Sequence, residues 1–339
     1  MLQSWQMRKL LPKMTTFLLA ALAAVLAPLV ACSPGYSGPV ESITIGSAPL
    51  ESSALIYIAE ERGFFAENGL DVTVKQYATG AVAHNALLKG EVDLAVPAEY
   101  PLVGSAFIKE ETGVIATIAK SQYFSLVGRK DLGVANVADL GGRKIGLVQK
   151  TIAEFYFGRF LVLNGIDPSQ VTLVNIDYTQ SEEAIVSGAV DAVVSRPPYV
   201  FATIERLGEN AITWQVQSSQ ALYAIITARN SWLAAKPELT RRLLKSLARA
   251  EEYLSQYPAE SKAIVQKRLN LDDAYMTAVW GQNDFSLTLG QSLVVALEDE
   301  ARWMISSNLT GETQVPDFSG YIYEDALRAI RPEAVNIIR

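Results

Sequence analysis

From residue 42 onward, short apolar runs alternate with stretches whose apolar side chains recur every third or fourth position. The runs have the length and β-branched content of strands, and the recurring stretches have helical spacing. Strands are predicted at 42–46, 70–76, 92–96 and 114–119, with helices at 54–62, 80–89 and 101–111 between them. After Asp139-Leu140-Gly141-Gly142 the rhythm restarts, with strands at 144–148, 171–176, 190–194 and 212–216 and helices at 152–164, 181–187 and 197–207. Strands separated by helices predict βαβ units and a largely parallel sheet, and the repetition predicts two similar α/β lobes. Strand-like segments at 123–129 and 222–229 sit at the changeovers. Helical patterns then dominate, at 237–257, 259–267, 272–280 and 291–308. We therefore expect residues 42–124 and 226–339 to form a first lobe that carries the extra C-terminal helices. Residues 125–225 form a second lobe, and the two crossing strands act as a hinge over a cleft.

The first residues follow a different pattern. Arg8, Lys9 and Lys13 precede a mostly apolar run from Thr15 to Ala27, and Leu29-Val30-Ala31 leads to Cys32, the single cysteine. A basic start, a short apolar stretch and a small residue before a cut is the layout of an export signal. The ending resembles the lipobox of bacterial lipoproteins, which implies cleavage after Ala31 and a lipid on Cys32. Acylation would also remove a lone thiol that has no partner for a disulfide. Residues 1–31 are thus expected to be a lipoprotein signal peptide. Residues 32–41, which contain Ser33-Pro34-Gly35-Tyr36-Ser37-Gly38-Pro39, are expected to be the lipidated cysteine and a flexible tether. The expected location is extracytoplasmic, with the lipid as the only membrane attachment.

Loss of the signal would remove three bases and no acid, moving the formal charge from −7 to −10. An acidic chain of this kind argues against a nucleic-acid partner. One histidine and one cysteine argue against a transition-metal centre, and no cofactor is expected.

Five stretches, in order behind the lipobox, carry a family resemblance. They are 59–72 (Ala-Glu-Glu-Arg-Gly-Phe-Phe-Ala-Glu-Asn-Gly-Leu-Asp-Val), 86–95 (Ala-Leu-Leu-Lys-Gly-Glu-Val-Asp-Leu-Ala), 139–146 (Asp-Leu-Gly-Gly-Arg-Lys-Ile-Gly), 151–157 (Thr-Ile-Ala-Glu-Phe-Tyr-Phe) and 187–194 (Ser-Gly-Ala-Val-Asp-Ala-Val-Val). With them the chain resembles the substrate-binding lipoproteins of nitrate/sulfonate/taurine ABC importers. That resemblance implies the type II periplasmic-binding-protein fold, a two-lobed clamshell. It also implies a monomer that captures a small-molecule ligand and delivers it to an ABC permease with its ATPase. The expected ligand is a small organic anion or zwitterion, sulfonate-, taurine- or nitrate-like. A pyrimidine or other heteroaromatic vitamin precursor is the alternative, as is a ligand-sensing lipoprotein of the same fold. Relatives that make a thiamine pyrimidine depend on additional cysteines and histidines, which this chain lacks, so no enzyme is expected and no catalytic residue is assigned.

Ligands of parallel sheets sit at the carboxyl ends of the strands, which selects particular loops. Pro49, Leu50, Ser52 and Ser53 follow the first strand; Thr79, Gly80 and Ala81 the second; Glu99 and Tyr100 the third. Thr151, Ile152 and Glu154 lie in an equivalent loop of the second lobe, and Arg196 in another; Tyr123 opens the first crossing. Ser52, Thr79 and Thr151 begin helices, where free N–H groups favour an anion, although each residue also suits a plain N-cap. Arg196 could hold a carboxylate or sulfonate in a bidentate bond, or form a salt bridge beside the hinge. Glu51, Glu99 and Glu154 would favour an amine, and Glu154 equally suits the first turn of a helix. His84, inside a helix, is expected to pack or lie at the surface. Asp93 and Asp191, at the amino ends of strands, are expected to satisfy turn backbone.

Overall fold

The computed structural model describes residues 36–218 and 220–338, and from Gly38 on they belong to one compact unit. The expected signal and Cys32 lie outside the described residues, and chain pairing begins at Glu41. Eleven strands concern the fold here: β1 Glu41–Ser47, β2 Leu70–Gln76, β3 Leu94–Val96, β4 Thr112–Ser121, β5 Ser125–Arg129, β6 Lys144–Leu147, β7 Thr172–Asn175, β8 Ala192–Ser195, β9 Ala211–Gln215, β10 Leu222–Arg229 and β11 Asn283–Asp284. They form two sheets, ordered β11-β4-β10-β3-β1-β2 and β7-β6-β8-β5-β9.

The two orders are one pattern used twice. In each sheet a central strand pairs in parallel with its two successors, β1 with β2 and β3, β6 with β7 and β8. In each sheet a crossing strand is inserted antiparallel to both neighbours, β10 between β3 and β4, β5 between β8 and β9. The expected parallel sheets are therefore mixed. A chain that crosses from one sheet to the other and comes back must enter each along the reverse direction. β10 belongs entirely to the first sheet, so the return crossing falls at 216–221, before the expected boundary at 225.

Sequence explains the faces. β4 reads Thr-Gly-Val-Ile-Ala-Thr-Ile-Ala-Lys-Ser and is buried along almost its whole length, as a central strand covered on both sides must be. β2, at an edge, alternates and keeps one face in water. The long helix Pro237–Gln256 starts on a proline, whose missing N–H costs nothing there. It buries Leu239, Leu243, Leu244, Leu247 and Ala250 on one stripe against helix Ala54–Glu61.

Asp93 and Asp191 occupy equivalent places. The Asp93 carboxylate accepts from the Thr44 N–H (2.8 Å) and hydroxyl (2.7 Å), and that of Asp191 from the Lys144 N–H (2.8 Å). Each clamps the strand before β3 or β8 to its central neighbour. Gly90 and Gly188 each precede their aspartate by three residues and take φ of 78° and 76°, which a side chain resists.

The two crossings are stitched by one side chain. Gln217, fully buried, accepts with Oε1 from the N–H groups of Tyr123 (2.6 Å) and Phe124 (2.9 Å). Its Nε2 donates to the carbonyls of Ser121 (2.9 Å) and Gln220 (3.1 Å). All of the amide's bonding capacity goes to the two linkers of the hinge.

Candidate functional site

A cavity of about 480 Å³ opens where the carboxyl ends of the two sheets converge. From the first sheet its walls include Leu50, Ser52, Thr79, Gly80, Ala81 and Tyr100. From the crossing and the second sheet come Tyr123, Thr151, Ile152 and Arg196. Ten residues selected from sequence are thus brought together by the topology.

Two helices begin at this cavity with their N-caps in place. Thr79 Oγ1 accepts from the Val82 N–H (3.2 Å) and Thr151 Oγ1 from the Ala153 N–H (3.2 Å), so both threonines cap and line at once. Gly80 lets its helix start press on the loop after β3: a Cβ there would stand 2.8 Å from Pro97 Cα and 3.0 Å from the Val96 carbonyl oxygen. The remaining first-turn N–H groups and the helix dipoles give the cavity a positive bias.

Arg196 provides the charge. It leaves the end of β8, half-buried, with its guanidinium carbon 5.0 Å from the Tyr178 ring centre and 5.7 Å from that of Tyr199. The two tyrosine rings are themselves stacked, 6.2 Å apart and 13° from parallel. Nη1 donates to the carbonyl of Pro197 (3.0 Å). No carboxylate among the described residues lies within salt-bridge distance of it, so the expected alternative of a hinge-side salt bridge does not occur. Burial pushes the phenols of Tyr123 and Tyr178 up, and Arg196 draws each partly back.

Four expected ligand contacts do not face the cavity. Pro49 points to solvent at the bend before Leu50. Ser53 turns inward and shares a hydrogen bond with Ser47 (2.8 Å). Glu99 is fully buried, takes the Tyr223 N–H (3.0 Å) and faces Glu300 on helix Gln291–Ser306. Burial raises both carboxyls, Glu99 to about 8 and Glu300 well above the carboxylate range, with the charge of Glu99 adding to the second. The pair therefore stays protonated into the neutral range and offers no anion to an amine. Glu154 accepts the Lys150 N–H at the start of its own helix, the first-turn role that sequence allowed. Glu51 is likewise turned away, hydrogen bonded to Tyr275.

His84 is buried, as packing predicts, and its ring edge reaches the cavity wall. Nε2 lies 2.9 Å from the Ser105 hydroxyl and Nδ1 3.3 Å from that of Thr227. Burial lowers it to about 4, so it is neutral at pH 7 and adds no charge. Among the wall residues that had not been picked out are Tyr178, Met304 and Leu309. Tyr178 follows β7, and the carboxyl-end rule that selected the other loops selects this one too. Met304 and Leu309 arrive from the far end of the chain, with no local signal for their placement.

This is a two-lobed α/β binding-protein fold with a cavity at its sheet tips. The NMT1/THI5-like family matches residues 51–261, and the chain belongs to that family. It is 25% identical over 279 residues to a Brucella abortus (strain 2308) protein named "Putative binding protein", across 81% of this chain and 85% of that one. Its fold is shared with the periplasmic aliphatic sulphonate binding protein SsuA of Escherichia coli (TM-score 0.71, 14% identity, 84% of this chain and 97% of that one). It is equally shared with the alkanesulfonate-binding protein SsuA of Xanthomonas axonopodis pv. citri bound to MOPS (TM-score 0.71, 15% identity, 85% and 100%). These likenesses agree with the nitrate/sulfonate/taurine substrate-binding class.

Proposed function

We propose that this chain is the extracytoplasmic solute-binding component of an ABC importer, that it takes an organic anion between its lobes, and that it hands the anion to a membrane permease with its ATPase. The observation that carries this reading is Arg196, a cation at the cavity wall that has aromatic faces beside it and no carboxylate among the described residues within salt-bridge distance. An anionic group placed there would take bidentate hydrogen bonds from the guanidinium. It would also face the helix start at Thr79 across the cleft and the helix start at Thr151 on the same lobe as Arg196. A ligand that touches both lobes stabilises the closed form over the open one, which is the signal a permease needs. Cavity size favours an organic ion over nitrate or bicarbonate, since an ion with only a handful of heavy atoms would leave most of 480 Å³ to water. The two SsuA proteins that share the fold are sulfonate binders by name, which supports a sulfonate as first candidate.

Binding is favoured over catalysis by the polar groups at the wall. Ser105 and His84 are within hydrogen-bond reach, but Thr227 stands where a base-orienting carboxylate would, and burial lowers the ring to about 4, which makes it a weak base. Lipid attachment at Cys32 and a monomeric state belong to the same reading and rest on the sequence motif and the family resemblance.

The test uses the domain from Ser33 on, with native mass spectrometry of what co-purifies and titration calorimetry of sulfonates. Arg196→Ala should weaken an anionic ligand more than tenfold, about 1.4 kcal/mol or more. The melting temperature without ligand should stay nearly unchanged. Equal affinity in the variant removes Arg196 from the site. A second reading has its own support in the aromatic wall, where the Phe124 ring centre lies 5.3 Å from that of Tyr123 and 6.3 Å from that of Tyr178. A flat heteroaromatic would stack there, and its binding would survive the loss of Arg196.

A further inference from the structure

The cavity does not end at the cleft. Helices Gly80–Leu88 and Tyr100–Phe107 both start at the sheet tips and run away from them. On the first, Ala81, Asn85 and Leu88 line the cavity at one-face spacing; on the second, Pro101 and Gly104 do, followed by Ile108 just beyond it. The hydrogen bond between His84 and Ser105 (2.9 Å) closes the floor between them. The result is a groove that continues the cavity for two helical turns, about 10 Å, and reaches solvent beside Ile108, 70% exposed.

Gly104 shows that the space is kept open. Glycine is the least favourable residue after proline in a helix interior. It is retained where a neighbour packs close, as at Gly158, where a Cβ would meet the Trp303 indole at 2.9 Å. At Gly104 a Cβ would meet nothing within 4 Å, and the backbone there is ordinary helix. Nothing in the folded chain requires the missing methyl group. An occupant of the groove would.

We propose that this groove receives an unbranched apolar tail of the ligand, which makes the ligand an amphiphilic organic anion with its head at Arg196 and its tail between the two helices. The inference deepens the reading above and rests on it for the position of the head. Apolar walls at Ala81, Leu88, Pro101 and Ile108 match an alkyl chain, and the neutral His84 beneath them places no charge against it.

The experiment is a calorimetric titration of the domain from Ser33 on with alkane-1-sulfonates of two to eight carbons and with the uncharged alkan-1-ols of equal length. Each added methylene should tighten binding about fourfold, in both series. Gly104→Leu, which improves helix propensity and whose Cβ has nothing within 4 Å, should fill the groove and abolish that trend. It should leave ethanesulfonate within threefold of the parent protein, and Gly104→Ala should lie between. A flat chain-length profile in the parent protein, an unchanged slope in Gly104→Leu, or no binding by either series overturns the groove. A slope without preference for sulfonate over alcohol, and without loss in Arg196→Ala, upholds the groove and overturns the anion reading instead.

Discussion

His84 and the Glu99–Glu300 pair are buried titratable groups with opposite linkage. The folded chain holds the His84 proton less tightly than the unfolded chain does, about 4 against 6.5. Its contribution to stability is complete above pH 6.5 and is lost as pH falls toward 4. The folded chain holds the Glu99 proton more tightly, about 8 against 4.5. That contribution is complete below pH 4.5 and is lost as pH rises through 8. His84→Gln should therefore flatten the acid limb of melting temperature against pH. Glu300→Gln should leave stability at pH 5 nearly as it is and raise it at pH 8 by roughly 1 kcal/mol, about 2–4 °C. Thermal melts from pH 4 to 8 would read both, and an unchanged alkaline limb in Glu300→Gln would refute the raised carboxyl pair. Arg196 was legible in the sequence because a strand end, a basic residue and two prolines are all local. The inward turn of Glu99 was not, because the Tyr223 N–H it takes lies more than a hundred residues away in the chain.

Elements were read well where their pattern is long. β2 and β10 match the predicted spans, and helix Gly80–Leu88 differs from expectation by one residue. Short pieces escaped: helices Phe64–Glu67, Asn230–Ala235 and Asp325–Ile330 span too few turns for a period to show. The antiparallel entry of β5 and β10 also escaped, since strand direction leaves no mark on composition. Asp93 and Asp191 were visible as a recurring local motif, Gly followed three residues later by Asp, and the structure gives both the same work. Asp93→Ala should cost about 1–3 kcal/mol by stranding the Thr44 N–H and hydroxyl, and Asp191→Ala less, since it receives one N–H and a long, part-exposed contact from Arg143 (3.8 Å). Urea unfolding of the two variants would show whether the ranking holds.

At the scale of the whole molecule, aromatic side chains join the two lobes, as Tyr100 does with Phe155 and Phe201 with Tyr275. Trp303 sits on a helix of the first lobe and packs edge-on against Phe155 of the second (5.7 Å) and over Gly158. Relative movement of the lobes must change its surroundings. Its fluorescence should shift when a ligand closes the cleft, and a Trp303→Phe variant should lose that shift while still binding; a ligand-induced change that persists in the variant would place the reporter elsewhere. The clamshell itself was legible as a doubled strand-helix rhythm with two interruptions. The groove beside Gly104 was not, because a single glycine in a helix says nothing about the space before it until the neighbouring helix is in place.

The amide of Gln217 touches both linkers at once, which has a mechanical consequence. Two independent tethers would let one body wobble and twist on the other in several ways. Bound to each other at mid-span, they leave one easy swing, like a door rather than a ball on a string. Distances measured between probes on opposite rims of the mouth should then rise and fall together along a single coordinate, and Gln217→Leu should let them vary separately.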